Sequence, residues 1–167
     1  MDGSQRQHWM VQSRRLAEEV ADDLSGRRID EREIAIGFVA RGGMLLFPAF
    51  STLFPRSFWL VATCERQGGL LHTMQWPTFK PAVFVLVDAV AATGGTLLTM
   101  ARLVRENCQP SELLIATLSC TEFARDRFVH EGYRYRALIE DTLVDGAPSG
   151  DLAGLDAGDL FQGIGVS

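Results

Sequence analysis

Two short stretches of this chain combine residue types in an order that suits chemistry on an anion. In the first, residues 83–87 form a β-branched and aromatic run, Asp88 follows it, and Thr93-Gly94-Gly95-Thr96 precede an apolar pattern of helical spacing, Leu97, Leu98, Ala101, Leu103 and Val104. A strand, a small-residue loop and a helix make a phosphate cradle. Gly94 and Gly95 let the backbone approach a ligand, and the helix start adds unpaired N–H groups and a positive dipole end. Thr93 and Thr96 add hydroxyl donors. Asp88 stands at the carboxyl end of the run, where α/β proteins place ligand-binding side chains. A carboxylate beside a phosphate cradle serves hydroxyl groups or a metal, and a sugar phosphate supplies the hydroxyls. The plainer alternative is an ordinary strand-to-helix turn, which Gly and Thr also suit. In the second stretch, Arg41-Gly42-Gly43 follows the apolar run 33–40. It reads equally as an oxyanion-binding turn or as a solvent-facing Arg in a flexible turn.

Two commoner phosphate loops are excluded by spelling. A Walker A loop needs a Lys after its last Gly, where this chain has Thr96, and the dinucleotide pattern G-x-G-x-x-G is absent.

The elements that must position these stretches alternate. An opening helix is expected over 8–24, with Trp9, Leu16, Val20 and Leu24 on one face and Glu18, Glu19, Asp22 and Asp23 on the other. A buried strand follows at 33–40, a second apolar helix at 44–54, a strand at 58–63 and a hairpin at 69–80. After the central loop and helix come a strand at 112–118, a helix at 122–130 and a strand at 135–139. Strands alternating with helices at this spacing predict an α/β fold, a parallel sheet with helices on both faces. Residues 146–158 hold too many glycines and turn formers for a packed helix and are expected to form an ordered functional loop or a frayed terminus.

The chain of 167 residues, 47% hydrophobic, suits one domain with a substantial core. Its formal net charge of -5 argues against broad electrostatic binding to nucleic acid. Cys64, Cys108 and Cys120 lack C-x-x-C spacing, and His8, His72 and His130 are isolated, so neither a disulfide framework nor a zinc site is indicated. The N-terminus lacks signal-peptide order, and the most apolar region, 34–60, is broken by charges, glycines and prolines. The default expectation is a cytoplasmic protein that does not enter a membrane.

Taken together, these motifs resemble the type I phosphoribosyltransferases. The spelling VDAVAATGGT is closest to the uracil phosphoribosyltransferase version of their donor loop. ARGG at 40–43 is similar to the family's Arg-Ala-Gly pyrophosphate turn, with Gly42 in place of Ala, and Arg66 resembles the Arg of its Tyr-Arg-x-Glu segment, with Glu65 and Gly68 at the flanking positions. AGLDAGDLF at 153–161 looks like the family's Pro-Gly-Leu-Gly-Asp-Ala-Gly-Asp-Arg-x-Phe signature, a more specific motif than the loop alone. There Ala153 replaces Pro, Leu160 replaces Arg, and the Gly before Asp156 is missing. A one-residue deletion moves the groups that define base choice. The resemblance runs from about residue 34 to the end of the chain.

The resemblance implies a type I phosphoribosyltransferase fold with a small hood made by the hairpin and the tail. It implies transfer of a phosphoribosyl group from 5-phosphoribosyl 1-diphosphate to uracil or a related base, as in pyrimidine salvage. Thr93, Gly94, Gly95 and Thr96, with the backbone of Ala91 and Ala92, would hold the 5′-phosphate, and Asp88 the ribose hydroxyls. Arg41, Gly42 and Arg66 would hold pyrophosphate, and Mg²⁺ would be bound mainly through the donor. Leu152 and Ala157 would face the base, with Asp156 and Asp159 in the same tail segment. A homodimer is implied as well. Two alternatives stay open: a related enzyme with a changed acceptor or sugar-phosphate reaction, for example in secondary metabolism, and a non-catalytic nucleotide-sensing regulator.

Overall fold

The computed structural model describes residues 3–64, 71–73, 75–144 and 147–148. Helix α1 (Gly3–Ser25) begins the chain, and Trp9, Ser13, Leu16, Ala17, Val20 and Leu24 are buried at helical spacing. A capped 3-10 turn at Glu31–Glu33, with Asp30 as its N-cap, feeds strand β1 (Ile34–Val39), buried along its whole length. A second 3-10 turn, Gly42–Leu46, runs into helix α2 (Phe47–Leu53). One continuous helix was expected over 44–54. Pro48, in the first turn of α2, has no N–H to offer the carbonyl four residues back, and the turn before it tightens instead.

Strands β2 (Phe58–Cys64), β3 (Leu71–Thr73), β4 (Val83–Ala91), β5 (Glu112–Thr121) and β6 (Arg134–Asp141) complete the main sheet. Helix α3 (Gly95–Cys108) joins β4 to β5, and α4 (Glu122–His130) joins β5 to β6. A two-residue antiparallel ribbon, β7 (Leu143–Val144) with β8 (Ala147–Pro148), follows. The sheet order is β3-β2-β1-β4-β5-β6. All neighbours are parallel except the edge strand β3, which runs antiparallel to β2; a hairpin was expected within 69–80, but β3 pairs back onto β2 and the described residues 75–80 form no strand.

Both faces are covered, as the alternation required. On one face α1 and α2 pack Leu16, Val20 and Phe50 onto Ile36, Phe38, Val85, Val87 and Leu114. On the other, α3 and α4 pack Leu97, Met100, Val104 and Phe128 onto Phe84, Leu86 and Ile115. At the amino ends of the strands, Arg27 and Arg134 both bond Glu112 and both pair with Asp23 at 3.1 and 2.9 Å, tying the end of α1 to β5 and β6. That charge cluster lies at the opposite end of the sheet from the glycine loops.

The strand order fixes where those loops go. From β1 the chain moves outward to β2, and from β4 it moves the other way to β5 and β6. The connections diverge between β1 and β4, and in open α/β sheets this switch point, outside the carboxyl ends of the strands, is where ligands sit. Arg41-Gly42-Gly43 leaves β1 there, and Thr93-Gly94 leaves β4 beside it.

Candidate functional site

Strand β4 is longer than its apolar run, ending at Ala91 rather than beside Asp88. Asp88 is therefore a ladder residue, in register with Thr117 of β5, and Ala91 pairs with Cys120 instead of belonging to the loop. The reason is tertiary: β5 runs on through Thr121 and offers the pairing partners that carry β4 past its acid.

Asp88 is the electrostatic centre of the site. Burial pushes its carboxyl up from 3.8 to about 7, against the opposing pull of two backbone N–H donors, those of Ala89 and Gly43. The Ala89 N–H lies 2.7 Å from Oδ1. The Gly43 contact is the informative one, because it joins the turn after β1 to the acid of β4. Gly43 is glycine for steric reasons: a Cβ there would overlap the carbonyl oxygen of Val87 and approach the Phe38 carbonyl carbon to 3.3 Å. With no side chain, the turn's backbone lies directly on β4.

Arg41 caps this 3-10 turn with its side chain exposed, and the peptide bond between Ala40 and Arg41 is cis. Among the described residues the Arg41 guanidinium has no hydrogen-bond or ion-pair partner. It is a cation held at the mouth of the switch point.

The loop after β4 is built around Gly94. Its φ of +71° is left-handed, and a Cβ would lie 2.8 Å from the Phe128 ring and 3.3 Å from the Ala124 methyl. Gly95, which opens α3, is different: a Cβ there would meet nothing nearer than the Thr93 hydroxyl at 3.6 Å. Gly94 is demanded by the fold. Gly95 is not, and its openness leaves room for a ligand at the helix start. Thr93 and Thr96 are exposed beside it, and the Thr93 hydroxyl lies 3.5 Å from the Gly95 nitrogen.

The structure thus brings together Arg41, Gly42, Ala92, Thr93, Gly94, Gly95 and Thr96 at the two connections of the switch point, with Ala91 and Asp88 below them in β4. Arg66, Leu152, Asp156, Ala157 and Asp159 lie outside the described residues. Two participants were missed by sequence reasoning. Thr121 caps α4 by accepting the Ala124 N–H, and it also donates its hydroxyl to the Ala92 carbonyl. Arg127 donates to the Thr93 carbonyl at 2.6 Å. A Thr before a predicted helix signals an N-cap, but nothing local signals a partner about thirty positions upstream.

Burial pushes the Cys108 and Cys120 thiols up to about 11, which keeps them protonated and unreactive. A groove of about 390 Å³ on the outer face of α4, lined by Phe123, Asp126, Arg127, His130 and Glu131, meets the loop only through Arg127 among the described residues. No group of three His, Cys, Asp or Glu among the described residues could hold a metal on its own. No described helix is long and apolar enough to cross a membrane.

No protein-family model matches the sequence. No curated protein matches it either. Solved structures do. The AQ2163 protein from Aquifex aeolicus is similar over 100% of this chain and 98% of its own, with a TM-score of 0.71 at 16% identity. A purine phosphoribosyltransferase from Pyrococcus horikoshii matches over 84% of this chain and 85% of its own, with a TM-score of 0.58 at 20% identity. An orotate phosphoribosyltransferase from Mycobacterium tuberculosis, solved in complex with 5-phospho-alpha-D-ribosyl 1-diphosphate, matches over 77% of this chain and 72% of its own, with a TM-score of 0.54 at 17% identity. At these identities the likeness is one of fold: the chain has the α/β fold of the type I phosphoribosyltransferases.

Proposed function

We propose that this protein transfers a phosphoribosyl group from 5-phosphoribosyl 1-diphosphate to a ring nitrogen of uracil or a related base, giving a nucleoside monophosphate and pyrophosphate. The observation that carries the reading is the seating of the Gly43 backbone on the Val87 carbonyl, next to Asp88, at the switch point. It puts a cationic turn and a glycine loop on either side of one half-buried acid. A phosphate site alone needs no acid, whereas a donor with a phosphate at one end, a diphosphate at the other and hydroxyls between them uses all three.

Each residue then has a task. The N–H groups at the start of α3, with Thr93, Gly94, Gly95 and Thr96, take the 5′-phosphate. Asp88 accepts hydrogen bonds from the ribose hydroxyls. Arg41 and the backbone of Gly42 take the diphosphate, joined by Arg66. The glycosidic bond to pyrophosphate breaks early, leaving oxocarbenium character on the ribose, so the protein's work is to fix the sugar and neutralise the leaving charge. No protein nucleophile is required. Mg²⁺ fits this donor set only as a shared ion, with Asp88 a single carboxylate and the donor's oxygens supplying the other ligands; bound there it would offset charge on the leaving diphosphate. Leu152 and Ala157 of the tail are the candidates for facing the base, Asp156 supports the pyrophosphate or metal side with Asp159 in the same segment, and uracil is chosen from the spelling of the donor loop and the tail. The same resemblance motivates a homodimer in the cytoplasm.

The test is pyrophosphate release from 5-phosphoribosyl 1-diphosphate with Mg²⁺, with and without uracil, assaying uridine monophosphate in the same tube. Uracil-dependent product is the expected outcome. Donor binding without turnover on uracil or any other nucleobase would overturn the transfer reading and favour a sensor.

A further inference from the structure

Helix α4 holds the candidate phosphate loop from behind. Three contacts converge on three consecutive loop residues. The Thr121 hydroxyl donates to the Ala92 carbonyl, Arg127 donates to the Thr93 carbonyl at 2.6 Å, and Phe128 and Ala124 press on Gly94 so closely that a Cβ would fall within 2.8 and 3.3 Å of them. Thr121 is wholly buried, and its one hydroxyl is used in both directions, since it also accepts the Ala124 N–H at 3.2 Å.

These contacts matter for an anion site. A peptide carbonyl facing a phosphate repels it, so a backbone cradle needs its acceptors engaged elsewhere while its N–H groups stay available. The Ala92 and Thr93 carbonyls are engaged by α4. The Arg127 guanidinium also brings a positive charge to the loop's own backbone, one residue from Gly94.

We propose that Thr121 and Arg127 are positioning residues that hold the 92–95 loop in its phosphate-binding form before the ligand arrives, an inference that rests on the sugar-phosphate reading above. Loop preorganisation lowers the ordering cost of binding, so losing either anchor weakens the phosphate end of the ligand and leaves the diphosphate end alone. The two ends sit on different loops, which makes the role separable from general damage.

The experiment is calorimetric titration of the full chain with ribose 5-phosphate and, separately, with pyrophosphate, for wild type, Thr121→Val, Thr121→Ser and Arg127→Gln. We expect ribose 5-phosphate to bind about tenfold more weakly to Thr121→Val and Arg127→Gln, the scale of one net hydrogen bond. Thr121→Ser should bind near wild type, because the hydroxyl is kept, and pyrophosphate affinity should be unchanged throughout. Unaltered ribose 5-phosphate binding in both weakened variants overturns the positioning role. Equal loss of both ligands overturns it too, by showing damage to the fold. Wild type that fails to bind ribose 5-phosphate overturns the underlying site reading. Should Thr121→Val not fold, Arg127→Gln, altered only at the surface, decides.

Discussion

Replacing Asp88 with Asn separates stability from function in opposite directions. Burial raises this carboxyl from 3.8 to about 7, so above pH 7 the native state carries a charge that it holds less comfortably than the unfolded chain does. The sign follows from proton counts. Between pH 4 and 7 the unfolded Asp has lost its proton while the native one keeps it, so stability falls as pH rises through that window and levels off above it. Keeping the proton to about pH 7 instead of 3.8 corresponds to ~4 kcal/mol of destabilisation above pH 7. Asn removes the charge but keeps one carbonyl oxygen for the Ala89 and Gly43 N–H groups; losing one such hydrogen bond costs ~1 kcal/mol. The net expectation is that Asp88→Asn is more stable than wild type by ~2–3 kcal/mol at pH 8, a rise in Tm of about 5–10 °C for a chain of this size. At pH 4, where the native Asp88 is already protonated, the advantage should vanish or reverse. Turnover should fall by orders of magnitude, since an amide cannot replace the carboxylate as acceptor for two hydroxyls. The assay is thermal unfolding of both proteins at pH 4 and 8, beside pyrophosphate release at pH 8. A variant equally destabilised at both pH values would refute the electrostatic reasoning, and near-normal turnover would refute the sugar-binding role.

The loop glycines should respond differently from one another. Gly94→Ala, forced to φ +71° against the Phe128 ring, should lose ~2 kcal/mol in urea unfolding, whereas Gly95→Ala should unfold like wild type yet bind ribose 5-phosphate at least tenfold more weakly. Gly43→Ala should be the more damaging turn variant, losing ~2 kcal/mol or more by pushing the turn off Val87, and it should raise the Asp88 pKa further by moving the backbone N–H of position 43 away from the carboxylate, visible in the carboxyl resonance on NMR titration. Arg41→Ala should leave Tm unchanged, because the side chain is exposed and has no partner among the described residues, while weakening pyrophosphate binding about tenfold by calorimetry.

What the sequence determined by itself was periodic or local. The buried runs that became β1, β4 and β5 are apolar because a covered parallel sheet leaves no face for water, and the helix expected at 122–130 is the observed α4, whose Thr121 cap only the structure reveals. Thr93 to Thr96 marked the candidate loop by composition, and of these residues Gly94 is the one whose left-handed backbone and close packing require glycine. Tertiary structure decided whatever depended on a neighbour distant in sequence. The length of β4 was set by β5, which carried pairing past Asp88 and turned an expected strand-end residue into a half-buried ladder residue whose carboxyl is pushed up to about 7. Gly43 looked like a second flexible residue in a turn, but the fold places it on the Val87 carbonyl, where no other residue fits. Thr121 and Arg127 carried no motif, since their partners Ala92 and Thr93 become neighbours only when α3 crosses over and returns the chain beside its own loop. Patterns along the chain report burial and backbone freedom; charge, proton affinity and the support of a site come from what the fold sets beside it.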